Sequence, residues 1–515
     1  MAVPVVSAAQ AAARDRAAIA AGVPSRALMQ RAGAAAAAEI CRRYAGRLRA
    51  GVAVYAGPGN NGGDGWVVAG ALAAAGVPVR VCAAAEPRTD DARAEQAQAR
   101  PLLDHEPPHG GEGVVVDALL GTGSAGVPRG PVGDAARRVR DAGARGAAVV
   151  ALDVPTGLDA TTGQADDAVR AELTLTFGTL KRGLLVARAQ AGAIAVLDIG
   201  LGSHAALADG APTLATSAWV AERVAPVAAD AHKGTRRRVV VVGGAEGMAG
   251  AAILAVRAAL RSGVGMVRAC VHPASLPVLQ TAEAAALARR WPATDEDADD
   301  ATGEWAHAVL IGPGLGRGAE SRSLLERVLR RWRGPVVLDA DALTAFEGRV
   351  DELAGILAGR PALLTPHAVE FARLAGGTPQ DALDRRFDAA GELARRLHAT
   401  VLLKGVPTVV SAPSGESVVS ATGTPALATG GSGDLLGGIA ATLLAQTGDP
   451  LASGACAAWV HGRAAELAGA ERTVRGVTLD DVTAALAVAW PSSEREAGSA
   501  AYPVIAELPR VGGAA

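Results

Sequence analysis

GVAVYAGPGNNGGDGWVVAGALAAAGVPVRVCAA, residues 51–84, decides the fold class. The apolar run GVAVYAG enters a glycine-rich loop and leaves it as an Ala/Leu-rich helix, after which VPVRVCAA returns to strand composition. In a parallel α/β sheet such a loop lies at the carboxyl end of its strand, where ligands bind. The alternation continues outward through EGVVVDALLG, GAAVVALDVP and ELTLTFG. Apolar β-branched strands alternating with helices predict a parallel sheet covered on both faces. Near 200–230 the pattern dissolves into linker composition. A second series then begins with RRRVVVVGG, GVGMVRACVHP, HAVLIGPGLG, GPVVLDADAL, PALLTPH, TVLLKGV and TVVSAP. Two α/β/α three-layer domains are expected, at 1–215 and 225–490, with 491–515 as a flexible tail.

A chain of 515 residues fits two to four domains at roughly 100–200 residues each. Fifty Lys+Arg against 52 Asp+Glu leave a net charge of −2, without the basic field of a nucleic-acid or membrane-surface binder. No run of about 18 uncharged apolar residues suggests a membrane span, and no basic amino-terminal region suggests a signal peptide. The four cysteines, Cys41, Cys82, Cys270 and Cys456, form no CxxC and no disulfide framework, so a reduced, cytoplasmic setting is expected. Arg supplies nearly all positive charge, leaving only Lys181, Lys233 and Lys404, and the only asparagines are Asn60 and Asn61. Such rare residues mark places where a compact ammonium or an amide is needed and Arg does not serve.

In the first domain, Gly57, Gly59 and Gly62 satisfy GxGxxG, as do Gly121, Gly123 and Gly126. Pro58 and the paired asparagines are foreign to the dinucleotide fingerprint of a dehydrogenase, which argues against hydride transfer. A third loop, LDVPTGLDATTG, offers Asp153, Thr156 and Asp159, while Asn61 and Asp117 sit at the ends of their own strands. One carboxylate among neutral oxygens suits a weakly charged hard cation better than zinc, although each residue also suits an ordinary helix cap. In the second domain GTPALATGGSGDLLGG sets a glycine run before an apolar helix. Amides at such a helix start receive phosphate, and Asp434 beside them is a candidate base toward a hydroxyl. Lys404, after another strand, can reach a phosphate as a point charge. No Walker A sequence is present.

VSAAQAAARDRAAIAAGVPSRALMQRAG, GPGNNGGDG, DALLGTG, DVPTGLDATTG, TLTFGTLKRGL and VLDIGLG, in this order, resemble the NAD(P)H-hydrate epimerase domain over residues 1 to about 210. The resemblance implies a Rossmann-like domain in which Asn60, Asn61, Gly62, Gly63, Asp64, Gly121, Thr122, Gly123, Ser124, Ala125, Gly126, Val127 and Asp153 contact the hydrated dinucleotide. It also implies that Asn61, Asp117 and Thr156 hold K+. Thr156 stands where the family usually has Ser, and Gln30 where Glu is frequent. AHKGTRRRVVVVGG, IGPGLGRG, VLDADAL, LLTPHAVE, LLKGVPT and ATGGSGDLLGG resemble the ADP-dependent NAD(P)H-hydrate dehydratase of the ribokinase-like superfamily, over about 225–490. Carried over, Ala251, Gly316, His367 and Asp434 contact the hydrated dinucleotide, and Lys404, Gly405, Val406, Pro407, Thr408 and Gly433 hold ADP.

Together these resemblances imply a bifunctional repair enzyme. Its first domain interconverts R and S epimers of hydrated NADH or NADPH. Its second phosphorylates the ring hydroxyl of the S form from ADP and eliminates phosphate, with Asp434 as base and Mg2+ on the nucleotide. A homo-oligomer with small-molecule substrates, and neither nucleic acid nor membrane as partner, is expected. Two alternatives stay open: a vitamin or sugar kinase fused to a dinucleotide sensor, and a first domain that has kept ligand contacts but lost its chemistry.

Overall fold

The computed structural model describes residues 2–103, 106–491 and 503–511. They form two compact units: residues up to Ala211 together with 503–511, and residues from Pro212 to 491. No helix among the described residues is long and apolar enough to cross a membrane.

The first unit is built on seven strands in the spatial order Val504–Leu508, Ala193–Leu197, Leu173–Phe177, Ala148–Leu152, Val114–Ala118, Val52–Ala56 and Val79–Ala83. Every neighbouring pair is parallel except the first. Side chains alternate across a strand, so Val52 and Val54 share one core with Ile40, Ala69 and Leu72, while Ala53 and Tyr55 share another with Ala136 and Val139. Helices Ser25–Tyr44 and Asn60–Ala74 thus cover one face and Gly130–Ala144 the other, the three layers expected.

The second unit carries ten strands in the order Leu287–Arg290, Met266–Val271, Arg238–Gly243, Ala308–Ile311, Val336–Leu338, Ala362–Leu364, Thr400–Leu403, Thr408–Ser411, Ser417–Ser420 and Thr213–Leu214. The first seven run parallel, and Thr408–Ser411 and Ser417–Ser420 are antiparallel additions. Helices Ala249–Arg261, Ser432–Thr447 and Pro450–Glu471 pack on one face against Val239, Val241, Leu310 and Val337.

Two expected boundaries move. Thr213–Leu214, placed in the first domain by sequence, pairs with Ser417–Ser420 and belongs to the second sheet. The flexible tail is corrected as well: Val504–Leu508 is a strand, antiparallel to Ala193–Leu197. Alternation explains it, because Val504, Ala506 and Leu508 point inward at 5%, 6% and 7% exposure. The Arg43 guanidinium meets Glu507 at 2.8 Å, and Arg188 donates to the Pro509 carbonyl. The remainder of that tail, 492–502 and 512–515, lies outside the described residues.

Candidate active sites

In the first unit, strand Val52–Ala56 feeds directly into helix Asn60–Ala74, whose start at Gly59 has no side-chain cap, so no side chain occupies the anion site that a helix start offers. Gly57 is required because a Cβ there would lie 1.8 Å from the Leu119 carbonyl oxygen of the next strand's loop. With the loops pressed together, Asp117 and Thr156 meet directly, and Asn61 is linked to Thr156 through the Leu120 peptide, whose amide donates to the Thr156 hydroxyl at 3.1 Å. Asn61 Nδ2 donates to the Leu120 carbonyl at 3.0 Å, while its Oδ1 is buried and accepts nothing. Asp117 is fully buried; its carboxylate accepts from the Thr156 amide at 2.8 Å and hydroxyl at 2.7 Å. Burial pushes its pKa up despite those hydrogen bonds. An orphaned amide oxygen, linked through Leu120 and Thr156 to a carboxylate that has no cationic partner among its contacts, is a donor set that fits a monovalent cation.

Asp153 sits at φ +62, a conformation costly for a non-glycine residue. It accepts from the Thr122 amide at 3.0 Å and from the Thr122 hydroxyl, and pairs with Lys181 Nζ at 2.6 Å. Burial works against its charge, but Lys181 and Thr122 outweigh it and hold the carboxyl below the usual range. Asp64 is the opposite case: burial, then the neighbouring charges of Asp153 and Asp15, raise it well above that range. Neighbouring carboxyls pushed apart in this way are the mark of an acid and a base.

A cavity of about 990 Å3 brings Asn60, Asn61, Asp64, Gly121, Thr122, Gly123, Ser124, Ala125 and Asp153 to one wall system, with Asp15, Met29 and Lys181. Gly62 and Gly63 do not line it; they lie in the helix beneath, where a Cβ at Gly63 would meet the Met29 thioether at 2.5 Å. Gly126 lines an adjoining crevice, and Val127, 47% exposed, lines neither. Sequence reasoning gave Lys181 no role, although its rarity was a usable signal. Gln30, the other departure, donates to Glu95 at 2.9 Å and serves helix packing.

In the second unit the carboxyl ends of the parallel strands deliver Gly312–Gly316, Asp339, Asp341, His367 and Lys404 along one edge of the sheet. Lys404 Nζ lies 2.9 Å from Asp339 Oδ1 and 3.7 Å from Glu370 Oε2. Burial opposes its charge, but Asp339 and Glu370 raise its pKa. Helix Ser432–Thr447 starts at Gly431, φ +95, without a side-chain cap; the Ser432 amide donates to the Thr429 carbonyl at 3.2 Å, which leaves the next amides of the first turn, at Gly433 and Asp434, without a cap. A Cβ at Gly433 would lie 3.2 Å from Lys404 Nζ, so glycine turn and ammonium share one small space.

Asp434, in the first turn, is pushed up to about 7, by burial first and then by Asp339, Asp341 and Glu370, with Lys404 opposing. His367 caps helix Ala368–Ala375, its Nδ1 accepting from the Val369 and Glu370 amides at 3.1 and 3.3 Å. Burial lowers its pKa, in keeping with the neutral ring an accepting Nδ1 requires. The Gly316 amide donates to Asp341 Oδ2 at 2.9 Å, tying that loop to the DADAL segment. Ala251 is half-buried at the start of helix Ala249–Arg261, close to Gly314. Gly405 and Val406 are exposed, the Val406–Pro407 peptide is cis, and the Thr408 hydroxyl donates to the Gly405 carbonyl at 3.0 Å. Asp339, Asp341 and Glu370 had no assigned role in the sequence, although DADAL and its spacing were visible. His461, whose Nε2 lies 3.4 Å from the Ser432 hydroxyl, was also missed.

Residues 239–487 match the NAD(P)H-hydrate dehydratase family model, and residues 25–183 match that of the YjeF-related protein N-terminus. The bifunctional NAD(P)H-hydrate repair enzyme of Salinibacter ruber is 38% identical over 505 residues, covering 90% of this chain and 91% of that one. The chain belongs to the bifunctional NAD(P)H-hydrate repair enzyme family. The Escherichia coli member of this repair family is 34% identical over 471 residues, covering 89% and 88% of the two chains. A crystal structure of the ADP/ATP-dependent NAD(P)H-hydrate dehydratase from Bacillus subtilis, co-crystallised with ATP and Mg2+, aligns with TM-score 0.47 and 30% identity, over 53% of this chain and 96% of that one. In this repair family the first unit corresponds to the epimerase and the second to the ADP-dependent dehydratase.

Proposed function

We propose that the first unit interconverts the R and S epimers of hydrated NADH and NADPH, and that the second restores the dinucleotide from the S epimer at the expense of ADP. Asp434 carries the second half of this reading: a carboxyl pushed up to about 7 in the first turn of a helix without a side-chain cap, beside a lysine. A base of that pKa matches neutral operating pH. Asp434 takes the proton of the ring hydroxyl as its oxygen attacks the β-phosphorus of ADP, and AMP leaves. The open amides around Gly433 and the Lys404 ammonium stabilise the transferring phosphoryl charge. The C–O bond of the phosphate ester then breaks, the adjacent ring carbon loses a proton, and inorganic phosphate departs. Among the described residues no trio of carboxylate, histidine or cysteine groups converges for a metal, so Mg2+ would enter on the nucleotide phosphates.

In the first unit Asp64, whose acid form burial favours, and Asp153, whose charged form Lys181 favours, supply acid and base on one wall of the cleft. Asn61, Asp117 and Thr156 would hold K+, which supplies fixed positive charge and order between the two glycine loops. A homo-oligomer working in the cytoplasm completes the reading. The test is to incubate hydrated NADH with ADP or ATP and follow the dihydronicotinamide absorbance, beginning from each epimer. Both epimers should be recovered as NADH, with one phosphate released per turnover. A stable phosphorylated product without phosphate release would identify a kinase instead.

A further inference from the structure

We propose that Asp339 is a positioning residue for the second unit's reaction: it holds Lys404 against the glycine turn and sets the balance of charge that faces Asp434. This rests on the reading of Asp434 as the base.

Asp339 directly follows strand Val336–Leu338 and is 1% exposed. Its backbone is locked, since its amide donates to the Ile311 carbonyl at 3.1 Å and a Cβ at Gly312 would lie 1.8 Å from its carbonyl oxygen. The side chain is equally confined. Oδ1 accepts from Lys404 at 2.9 Å, and Cβ atoms at Gly433 and Gly437 would lie 3.7 and 3.6 Å from Oδ2. The carboxylate is therefore wedged between the lysine and the first two turns of the helix that presents Asp434.

The charges facing Asp434 come from several elements: Asp339 and Asp341 after one strand, Lys404 after another, and Glu370 on helix Ala368–Ala375. His461, on helix Pro450–Glu471 beneath Ser432, has its pKa lowered to about 4 by burial and is neutral at working pH. Lys404 alone would favour an ionised Asp434. Asp339 faces that ammonium at ion-pair distance and cancels its pull, and among the neighbouring charges it acts most strongly on Asp434.

Asp339→Asn keeps the shape and removes the charge. The pH midpoint of the rising limb of dehydration should move down from about 7 by about one unit. A slower enzyme in which neither this midpoint nor the Tm window described next has moved overturns the proposal. An activity-free readout separates this from failure of Asp434 as the base. Because Asp434 is raised in the folded protein, the stability it contributes is lost as pH climbs from about 4 to about 7. The difference in Tm between Asp434→Asn and its parent should therefore open over that window, and over a more acidic one when both carry Asp339→Asn. A correct Tm window without a matching kinetic limb would refute the base and leave the Asp339 coupling standing. Asp339→Glu keeps the charge but displaces the contact, so it should preserve the midpoint and lower kcat with KM little changed. A Glu variant as fast as the parent overturns the positioning role.

Discussion

Lys404 has an ion-pair partner at 2.9 Å and a glycine turn against its head group, which leaves no room for a planar fork. Lys404→Arg should weaken ADP binding by about tenfold, or ~1.4 kcal/mol, in titration calorimetry; unchanged affinity would make this lysine a bystander. Asp117→Ala should remove most epimerase activity while dehydration of the pure S epimer persists. Replacing K+ by a bulky organic cation should reproduce that defect in the unaltered protein, as read by the interconversion rate of the two epimers. Full epimerase rates without alkali cations would leave Asn61 and Thr156 as ordinary loop residues. Residues of this kind were legible because each lies at or just past the carboxyl end of an apolar strand, so one sheet edge gathers them. The Lys181–Asp153 and Lys404–Asp339 pairs were not legible: their members belong to or follow different strands, and only the folded register brings an ammonium to a carboxylate.

Among elements, the parallel strands could be read because they are buried on both faces and appear as unbroken apolar runs, as VAVYA and AVVAL do. Thr213–Leu214 and Val504–Leu508 escaped for opposite reasons. The first is two residues long, too short for any period to register. The second alternates clearly, but its partner strand lies some 300 residues away, and no local pattern announces so distant a pairing. Ending the chain after 491 should uncover the Ala193–Leu197 edge and remove the buried Val504, Ala506 and Leu508. A loss on the order of 3 kcal/mol follows from those side chains. It should appear as a lower Tm for the first unit and a tendency to associate through the bared edge, while the melting of the second unit stays in place. A first unit that melts unchanged would reduce this strand to an ornament.

For the whole molecule, each candidate site is assembled within one unit, around that unit's own sheet and cores. Asp434→Asn should therefore abolish dehydration and leave epimerisation at its normal rate, measured on one preparation with the two epimers resolved chromatographically. Loss of both activities in a folded variant would contradict this division.

The edge strand at 504–508 also bears on the order in which the protein becomes finished. Translation makes the epimerase half first, yet the strand that completes its sheet is encoded beyond the entire dehydratase half. On the ribosome, where domains generally fold in the order they emerge, the earlier half must wait with an open edge until the later one has been synthesised. A message cut short after the second unit would yield a dehydratase able to repair one epimer, attached to an epimerase whose sheet was never closed.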